Sequence, residues 1–148
     1  MTDRKIIDSF TLGSGYAFLS NFHPSTITVD GKTYPTIEHA YQAYKTLNEE
    51  SREMIRKAKD PSIAKRLGRG IEMRSDWEAV KEALMCDFIR KKFESPFLAD
   101  LLIRTDDAEL IFGNTWNDRV WGICRGTGEN LLGRILMKVR QELKNSSS

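Results

Sequence analysis

Tyr34-Pro-Thr-Ile-Glu-His-Ala-Tyr-Gln-Ala-Tyr-Lys45 is the segment from which the architecture of this chain is best predicted. After Pro35 and Thr36, apolar and aromatic side chains recur at the spacing of a helix. The helix predicted here presents on one face Ile37, Ala40, Tyr41, Tyr44 and Leu47. Glu38 and Lys45 are seven positions apart. On such a helix they share a face, about 10 Å apart along the axis.

A small β element is predicted immediately upstream of this helix. Residues 26–29 (Thr-Ile-Thr-Val) alternate in polarity with a period of two, and Lys32-Thr-Tyr34 can form a second strand. Asp30-Gly31 lies between them and tolerates the positive φ angles of a tight turn. The pattern therefore predicts a β-hairpin that leads into the helix.

Further helices are predicted downstream. Asp60-Pro61 has the pattern of a helix cap followed by a first-turn proline, and Ser75-Asp-Trp-Glu78 has that of a capping box. Ser95-Pro96 and Asn130 begin two more apolar periodic segments, and residues 108–112 form a candidate short strand. The expected fold class is α+β, predominantly α-helical, with a small N-terminal β element.

Bulk composition bounds the classes of protein that this chain can belong to. The 148 residues fit one domain, with a core from about residue 10 to 143 and a disordered tail over 144–148. The net charge of +2 is too small to indicate a nucleic-acid binder. The N-terminal residues are too polar for a signal peptide, and no apolar run has the length of a membrane span. We expect a monomeric cytoplasmic protein without membrane contact.

The cysteine and histidine content predicts no metal centre. Cys86 and Cys124 are too few for a disulfide framework, and Cys86 falls in a helical pattern where it packs as a small hydrophobe. No Cys/His cluster has the spacing of a zinc site. We therefore expect reduced cysteines, no metal and no organic cofactor.

Polar residues that core packing does not require form two groups in the first half of the chain. Asn21, beside Phe22, can form hydrogen bonds with an amide or hydroxyl group of a ligand. The commoner role of such a residue is to form hydrogen bonds with backbone groups of its own loop. Glu38, Gln42 and Lys45 form one helical stripe near the ring of Tyr41, which suits a polar pocket. A solvated face with mild charge pairs is the more ordinary interpretation of that stripe.

Two further groups lie later in the chain. Arg66 and Arg69 are one helical turn apart and can hold phosphate with planar guanidinium forks, or can simply form a solvated surface. Trp116-Asn-Asp-Arg-Val-Trp121 places two tryptophans around an Asn-Asp turn, where Trp121 can stack on a planar base and Asp118 can act as an acid or base. The glycine loop 126–128 then leads into a helix N-terminus, a natural phosphate site.

Seven segments, in their order, resemble those of the NADAR family, named for its association with NAD and ADP-ribose. They are Phe18–Pro24, Tyr34–Lys45, Ala64–Arg69, Arg74–Trp77, Lys91–Phe93, Asp118–Gly122 and Gly128–Gly133. Each segment is modest alone, but their shared order and spacing are specific. The resemblance implies a helix-rich single domain with a few strands and a hydrolase that acts on N-glycosyl compounds of ribose phosphate.

The resemblance also implies site residues and substrates. It makes Lys45 the leading catalytic residue, with Glu38 beside it and Asp118 as a second acid or base. Together with the residue patterns above, the expected substrate-binding residues are Asn21, Tyr41, Gln42, Arg66, Arg69, Trp77, Trp121 and Asn130. The expected substrates are small ribosylamino-pyrimidine phosphates of the riboflavin pathway, or ADP-ribosylated guanine in nucleic acid.

The sequence departs from the family pattern at two places. His23 occupies a position where tyrosine is common in the family, which changes a ring contact. Residues 123–125 (Ile-Cys-Arg) replace a stretch where Gly and Asp are commoner, which alters a loop expected to face the substrate.

The residue types suit two chemical routes and leave two other functions open. A neutral Lys45 amine can attack ribose C1 and form a Schiff base, with proton transfer by Glu38 or Asp118. A dissociative route through an oxocarbenium-like transition state would leave Lys45 to bind phosphate. The alternative functions are a non-catalytic ADP-ribose or nucleotide-binding module, and a nucleic-acid binder that uses the basic 57–74 segment.

Overall fold

The structure, a computed structural model, describes residues 4–146 and divides them into two compact units. The central unit is Asn21–Lys92, and the terminal unit combines residues 4–20 with 93–146. The predicted fold class is confirmed, because helices predominate and the strands are short. Within the described part, no helix combines the length and apolar content that a bilayer crossing requires.

The central unit begins with the predicted hairpin. Strand β2 (Ile27–Val29) pairs antiparallel with β3 (Lys32–Tyr34), and Val29 faces Lys32 across the turn. Asp30 and Gly31 adopt φ angles of 51° and 78°, as a tight hairpin turn requires. Local turn chemistry therefore determines this element and its register.

Four helices complete the central unit: α1 (Ile37–Ala43), α2 (Glu49–Arg56), α3 (Pro61–Gly68) and α4 (Trp77–Lys92). Helix α1 packs against each of the other three, so it is the centre of this unit. The predicted cap at Asp60 is confirmed, because its side chain accepts a hydrogen bond from the Ile63 N–H.

Helix α1 is shorter than the sequence pattern predicted. It ends at Ala43, Tyr44 is its C-terminal cap, and Leu47 is 63% exposed rather than on a buried face. The Tyr44 hydroxyl donates a hydrogen bond to the Asp30 carboxylate, and the Arg52 guanidinium lies 4.1 Å from the Tyr44 ring centroid. These contacts tie the end of α1 to the hairpin turn and to α2.

The terminal unit pairs β1 (Ile6–Ile7) in parallel with β4 (Glu109–Leu110) and packs α5 (Pro96–Ile103) against α6 (Leu131–Ser146). The helix start predicted at Ser95-Pro96 is confirmed, and the Ser95 hydroxyl caps this helix by accepting from the Leu98 N–H. A disordered tail was predicted from residue 144, and the structure continues α6 to Ser146. The last two residues of that tail, 147 and 148, lie outside the described residues. Cys86 and Cys124 are buried free thiols, each in a different unit.

His39 connects α1 to the segment between α2 and α3. Its Nε2 lies 3.0 Å from the carbonyl oxygen of Ala58, which can only accept, so Nε2 carries the proton. Its Nδ1 lies 2.8 Å from the Thr36 hydroxyl and accepts from it. Burial lowers the pKa of His39 below its ordinary value, against smaller opposing effects of the Ala58 carbonyl and Asp60. The fold therefore selects the neutral imidazole.

We expect this histidine to make the protein less stable in mild acid. Because the pKa is lower in the folded state, the unfolded chain binds more protons as the pH falls below about 6.5. The free energy of unfolding should fall between about pH 7 and 5, with a slope of at most about 1.4 kcal/mol per pH unit from this group. Urea unfolding across this range measures it. The slope should be shallower in His39→Gln, and an unchanged slope would contradict the assignment.

Candidate active site

Lys45 lies in the turn directly after α1, not on the helix itself. Its backbone N–H donates to the Gln42 carbonyl at 3.3 Å, and its carbonyl accepts from the Arg74 N–H at 2.7 Å. The side chain is half-buried, and Nζ lies 5.2 Å from the centroid of the Tyr41 ring. The backbone is thus held from both sides, and the amine lies beside an aromatic surface.

The environment of Lys45 favours the neutral amine. Burial is the main cause that lowers its pKa, and the charges of Lys65, Arg69 and Lys81 lower it further. The Glu38 carboxylate acts in the opposite direction and raises it. A lowered pKa increases the fraction of uncharged amine near neutral pH, which is the form that can act as a nucleophile.

Glu38 is a buried carboxylate in the first turn of α1. Its backbone N–H donates to the Asn21 carbonyl at 3.1 Å, and its Oε1 accepts from Gln42 Nε2 at 2.8 Å. The backbone of Glu38 is therefore fixed by Asn21, and its carboxylate is held by the side chain of Gln42, one turn along the helix. The Glu38 carboxylate acts electrostatically on Lys45. We therefore assign the two residues to one site, although Lys45 lies beyond the end of the helix.

The backbone carbonyl of Asn21 accepts a hydrogen bond from the Glu38 N–H in the first turn of α1, and its side chain makes different contacts. Its Nδ2 donates to the sulfur of Met85 at 3.6 Å, and its Oδ1 is buried without a hydrogen-bond partner among residues 4–146. The ordinary interpretation, that this side chain satisfies loop backbone groups, is therefore not what the structure contains.

One stripe of α4 faces these residues. Trp77, Lys81 and Met85 follow one another at intervals of four residues, so they lie on one side of the helix. The Trp77 ring is buried and lies 5.2 Å from the Tyr41 ring, at a tilted angle of 59°. The sequence interpretation missed Lys81, because its spacing from Trp77 indicates a shared helix face but not what that face contacts.

The basic residues of α3 divide into two sets. Lys65 and Arg69 are among the cations that act on Lys45, and the Lys65 amine lies 5.9 Å from the Phe22 ring centroid. Arg66 is exposed and is not among those cations. Arg69 of the predicted pair thus acts on Lys45 together with Lys65 and Lys81, and the phosphate roles of Arg66 and Arg69 remain predictions.

In the terminal unit, the predicted acid Asp118 holds its own loop together. Its Oδ1 accepts from the backbone N–H groups of Val120 at 3.2 Å and Trp121 at 2.9 Å. The Trp121 ring system is buried. These two residues remain predicted site residues, but each also has a structural role.

Asn130 links β4 to the start of α6. Its Nδ2 donates to the Leu110 carbonyl, and its Oδ1 accepts from the Phe112 N–H, each at 2.9 Å. Its backbone carbonyl accepts from the Arg134 N–H at 3.0 Å. A structural role therefore accounts for both polar atoms of this side chain, which was expected to bind substrate.

The arrangement in the central unit is that of a site for an anionic, electrophilic substrate. A half-buried amine lies beside the Tyr41 ring, which contacts the Trp77 ring, and a buried carboxylate and three cations act on that amine. Among the described residues, no group of three His, Cys, Asp or Glu side chains is arranged to hold a metal ion.

Comparisons with known proteins place the chain in a family. The NADAR domain model matches residues 10–144. N-glycosidase YbiA of Escherichia coli is 43% identical over 142 residues, which cover 93% of this chain and 88% of that protein. Its NMR structure has a TM-score of 0.88 at 40% identity and covers 99% of this chain and 89% of that one.

Two more distant relatives are also named for what they do. An N-glycosidase of Nostoc punctiforme is 35% identical and covers 88% of this chain and 87% of that protein. A riboflavin biosynthesis protein of Vibrio vulnificus is 40% identical over 87% of this chain, but over only 36% of its own length. The relatives named N-glycosidase confirm the expected class of hydrolase acting on N-glycosyl compounds. By sequence and by fold, this chain belongs to the NADAR family.

Proposed function

We propose that this protein hydrolyses the N-glycosidic bond between a phosphorylated ribose and an amino group of a base or aminopyrimidine. The observation that carries the proposal is the Lys45 amine, whose pKa is lowered by burial and nearby cations while a buried carboxylate, Glu38, acts on it. A binding module for nucleotides needs cations and rings but does not require an amine with a lowered pKa on which a carboxylate acts.

The reaction follows from these groups. A glycosylamine opens by breaking the bond between C1 and the ring oxygen, which leaves an imine at C1. The neutral Lys45 amine adds to C1, protons pass from the lysine nitrogen to the leaving nitrogen, and the base departs with its amino group. The resulting Schiff base adds water at C1, and its breakdown releases the sugar and restores the free amine.

Glu38 is the group that we assign to proton transfer. It accepts one hydrogen bond from Gln42 and acts electrostatically on Lys45, so it can take a proton from the attacking nitrogen and return it to the leaving one. Asp118 is the less suitable candidate, because one of its carboxylate oxygens already accepts two backbone hydrogen bonds.

The remaining residues supply binding. Lys65, Arg69 and Lys81 offer positive charge for a phosphate, and their charges also keep the pKa of Lys45 low. Tyr41 and Trp77 supply ring surface for a planar base. Asn21 Oδ1 is a hydrogen-bond acceptor with no partner in the described chain, which suits an N–H donor of the substrate.

Two substrate classes satisfy this chemistry. One is a ribosylamino-pyrimidine phosphate, which the riboflavin biosynthesis relative supports, and the other is guanine linked through its amino group to ADP-ribose. Incubating the protein with each compound and measuring released base by mass spectrometry tests the proposal. Binding of either compound without release of base would instead indicate a non-catalytic module.

We expect the cations of α3 to be unequal in substrate binding. Arg69→Ala should raise the KM for a ribose-phosphate substrate roughly tenfold, since a charge-assisted contact to phosphate contributes about 1.5–3 kcal/mol. Arg66→Ala, one turn earlier, should change KM less than twofold, because Arg66, although exposed like Arg69, is not among the cations that lower the pKa of Lys45. Steady-state kinetics of the two variants measure these changes in KM. Equal effects would contradict the assignment.

A further inference from the structure

Gln42 of α1 packs directly against Gly68, which ends α3. Gln42 is only 3% exposed, and Gly68 is buried as well. A Cβ atom at position 68 would overlap the Gln42 Oε1 and lie 2.8 Å from its Cδ, inside any normal contact distance. The side-chain amide of Gln42 therefore occupies the space that any residue larger than glycine would need.

The side-chain amide of Gln42 donates a hydrogen bond to Glu38 of the candidate site. Its Nε2 donates to Glu38 Oε1 at 2.8 Å, across one turn of α1. The orientation follows from chemistry, because a carboxylate only accepts and so must meet the amide nitrogen. The amide oxygen is left buried with no hydrogen-bond partner among residues 4–146, which is a local cost to stability.

A buried polar atom that lacks a hydrogen-bond partner calls for a functional explanation. A leucine or methionine would fill the same space without burying an unpaired oxygen, so packing alone does not favour glutamine here. A direct contact with substrate does not explain it either, because its Nε2 is bonded to Glu38 and its Oε1 packs against Gly68. The remaining partner, Glu38, explains both the residue type and its orientation.

We propose that Gln42 is a positioning residue, not a substrate contact: its amide, seated on Gly68, holds the Glu38 carboxylate in one orientation beside Lys45. This inference rests on the proposed role of Glu38 in proton transfer. A carboxylate on a Glu side chain turns easily about its last bond, and a hydrogen bond to one oxygen restricts that rotation. Loss of the bond should slow chemistry without weakening substrate binding.

Two substitutions disturb this hydrogen bond from opposite sides. Gln42→Ala removes the amide, and Gly68→Ala displaces it with a methyl group on another helix. Gly70→Ala is the matched control, because a Cβ there meets only the Leu67 carbonyl oxygen, at 3.8 Å. We expect kcat to fall roughly tenfold in the first two variants, with KM within twofold of wild type, and the control to be unchanged.

The double variant gives a sharper test. In Gln42→Ala the displaced amide is already absent, so adding Gly68→Ala should cost no further activity. Additive losses, a higher KM with normal kcat in Gln42→Ala, or a folded Gly68→Ala with wild-type kcat would each overturn the proposal. If Gln42→Ala does not fold, Gln42→Met keeps the length of the side chain and still lacks the amide.

A second readout separates this inference from the proposed activity. Glu38 acts on the pKa of Lys45, so a change in the orientation of its carboxylate should change that pKa. NMR titration of ¹³C-labelled lysine should show a shift in the same direction in Gln42→Ala and Gly68→Ala and none in Gly70→Ala. If wild type releases no base from either N-glycoside, the proposed function fails, while an unchanged pKa in both variants overturns the positioning role.

Discussion

Lys45→Arg should abolish turnover while leaving the protein folded. Arginine keeps the positive charge of an ammonium, but its guanidinium does not lose its proton in a protein and cannot form a Schiff base. We expect kcat/KM to fall by roughly a thousandfold or more, the scale on which loss of an enzyme nucleophile acts. Rates of base release, measured with either N-glycoside substrate, give the effect directly.

Trapping identifies the nucleophile independently of rate. Borohydride added during turnover should reduce the Schiff base and leave a sugar phosphate on Lys45, which peptide mass spectrometry locates. Lys57→Arg is the matched control, since Lys57 is an exposed residue at the end of α2 and should label no less than wild type. Full activity in Lys45→Arg would exclude covalent catalysis and favour the dissociative route, in which this residue only binds phosphate.

Glu38→Gln should produce the second large loss. The change preserves size and removes the charge, so proton transfer during attack and departure loses its base. We expect kcat to fall by roughly 10²–10⁴-fold, the usual contribution of a positioned acid or base. Glu72→Gln, at an exposed position in the loop before α4, should have wild-type activity.

The pH dependence of the Glu38→Gln variant distinguishes proton transfer from a purely structural role. Glu38 raises the pKa of Lys45, so removing its charge lowers that pKa. The neutral amine then persists to lower pH, and the acidic limb of the kcat/KM profile should move to lower pH although the maximum rate is reduced. A limb that moves to higher pH, or a variant with normal kcat, would contradict the assigned role.

Several features of the fold were predictable because they depend on neighbours in the sequence. The Asp30-Gly31 turn follows from the conformational freedom of those two residues, and the Asp60 and Ser95 caps follow from side chains that bond to nearby N–H groups. The end of α1 was not predictable, because the periodic pattern continues to Leu47 while the chain leaves the helix after Ala43. Contacts of Tyr44 with Asp30 and Arg52 lie at this end of the helix.

The residues of the candidate site likewise divide into those that the sequence identified and those that only the structure revealed. Lys45 and Glu38 were identifiable from a segment that resembles the NADAR family, and their roles remain proposals. Lys81 was missed, because it belongs to the site only once α4 is known to turn Trp77 towards Tyr41. The structural tasks of Asn130 were also missed, because they connect residues that are far apart in the chain.

The amino-acid sequence alone determined the helix-rich class, the hairpin, the cap at Asp60 and the family, since turn preferences, capping and periodicity act over a few residues. Tertiary structure decided which charges surround Lys45 and how far they lower its pKa, because burial and long-range charge depend on where α3 and α4 meet α1. It also decided that Gln42 meets Gly68 and Glu38. A side chain's identity limits the bonds that it can make, but only packing selects the partner.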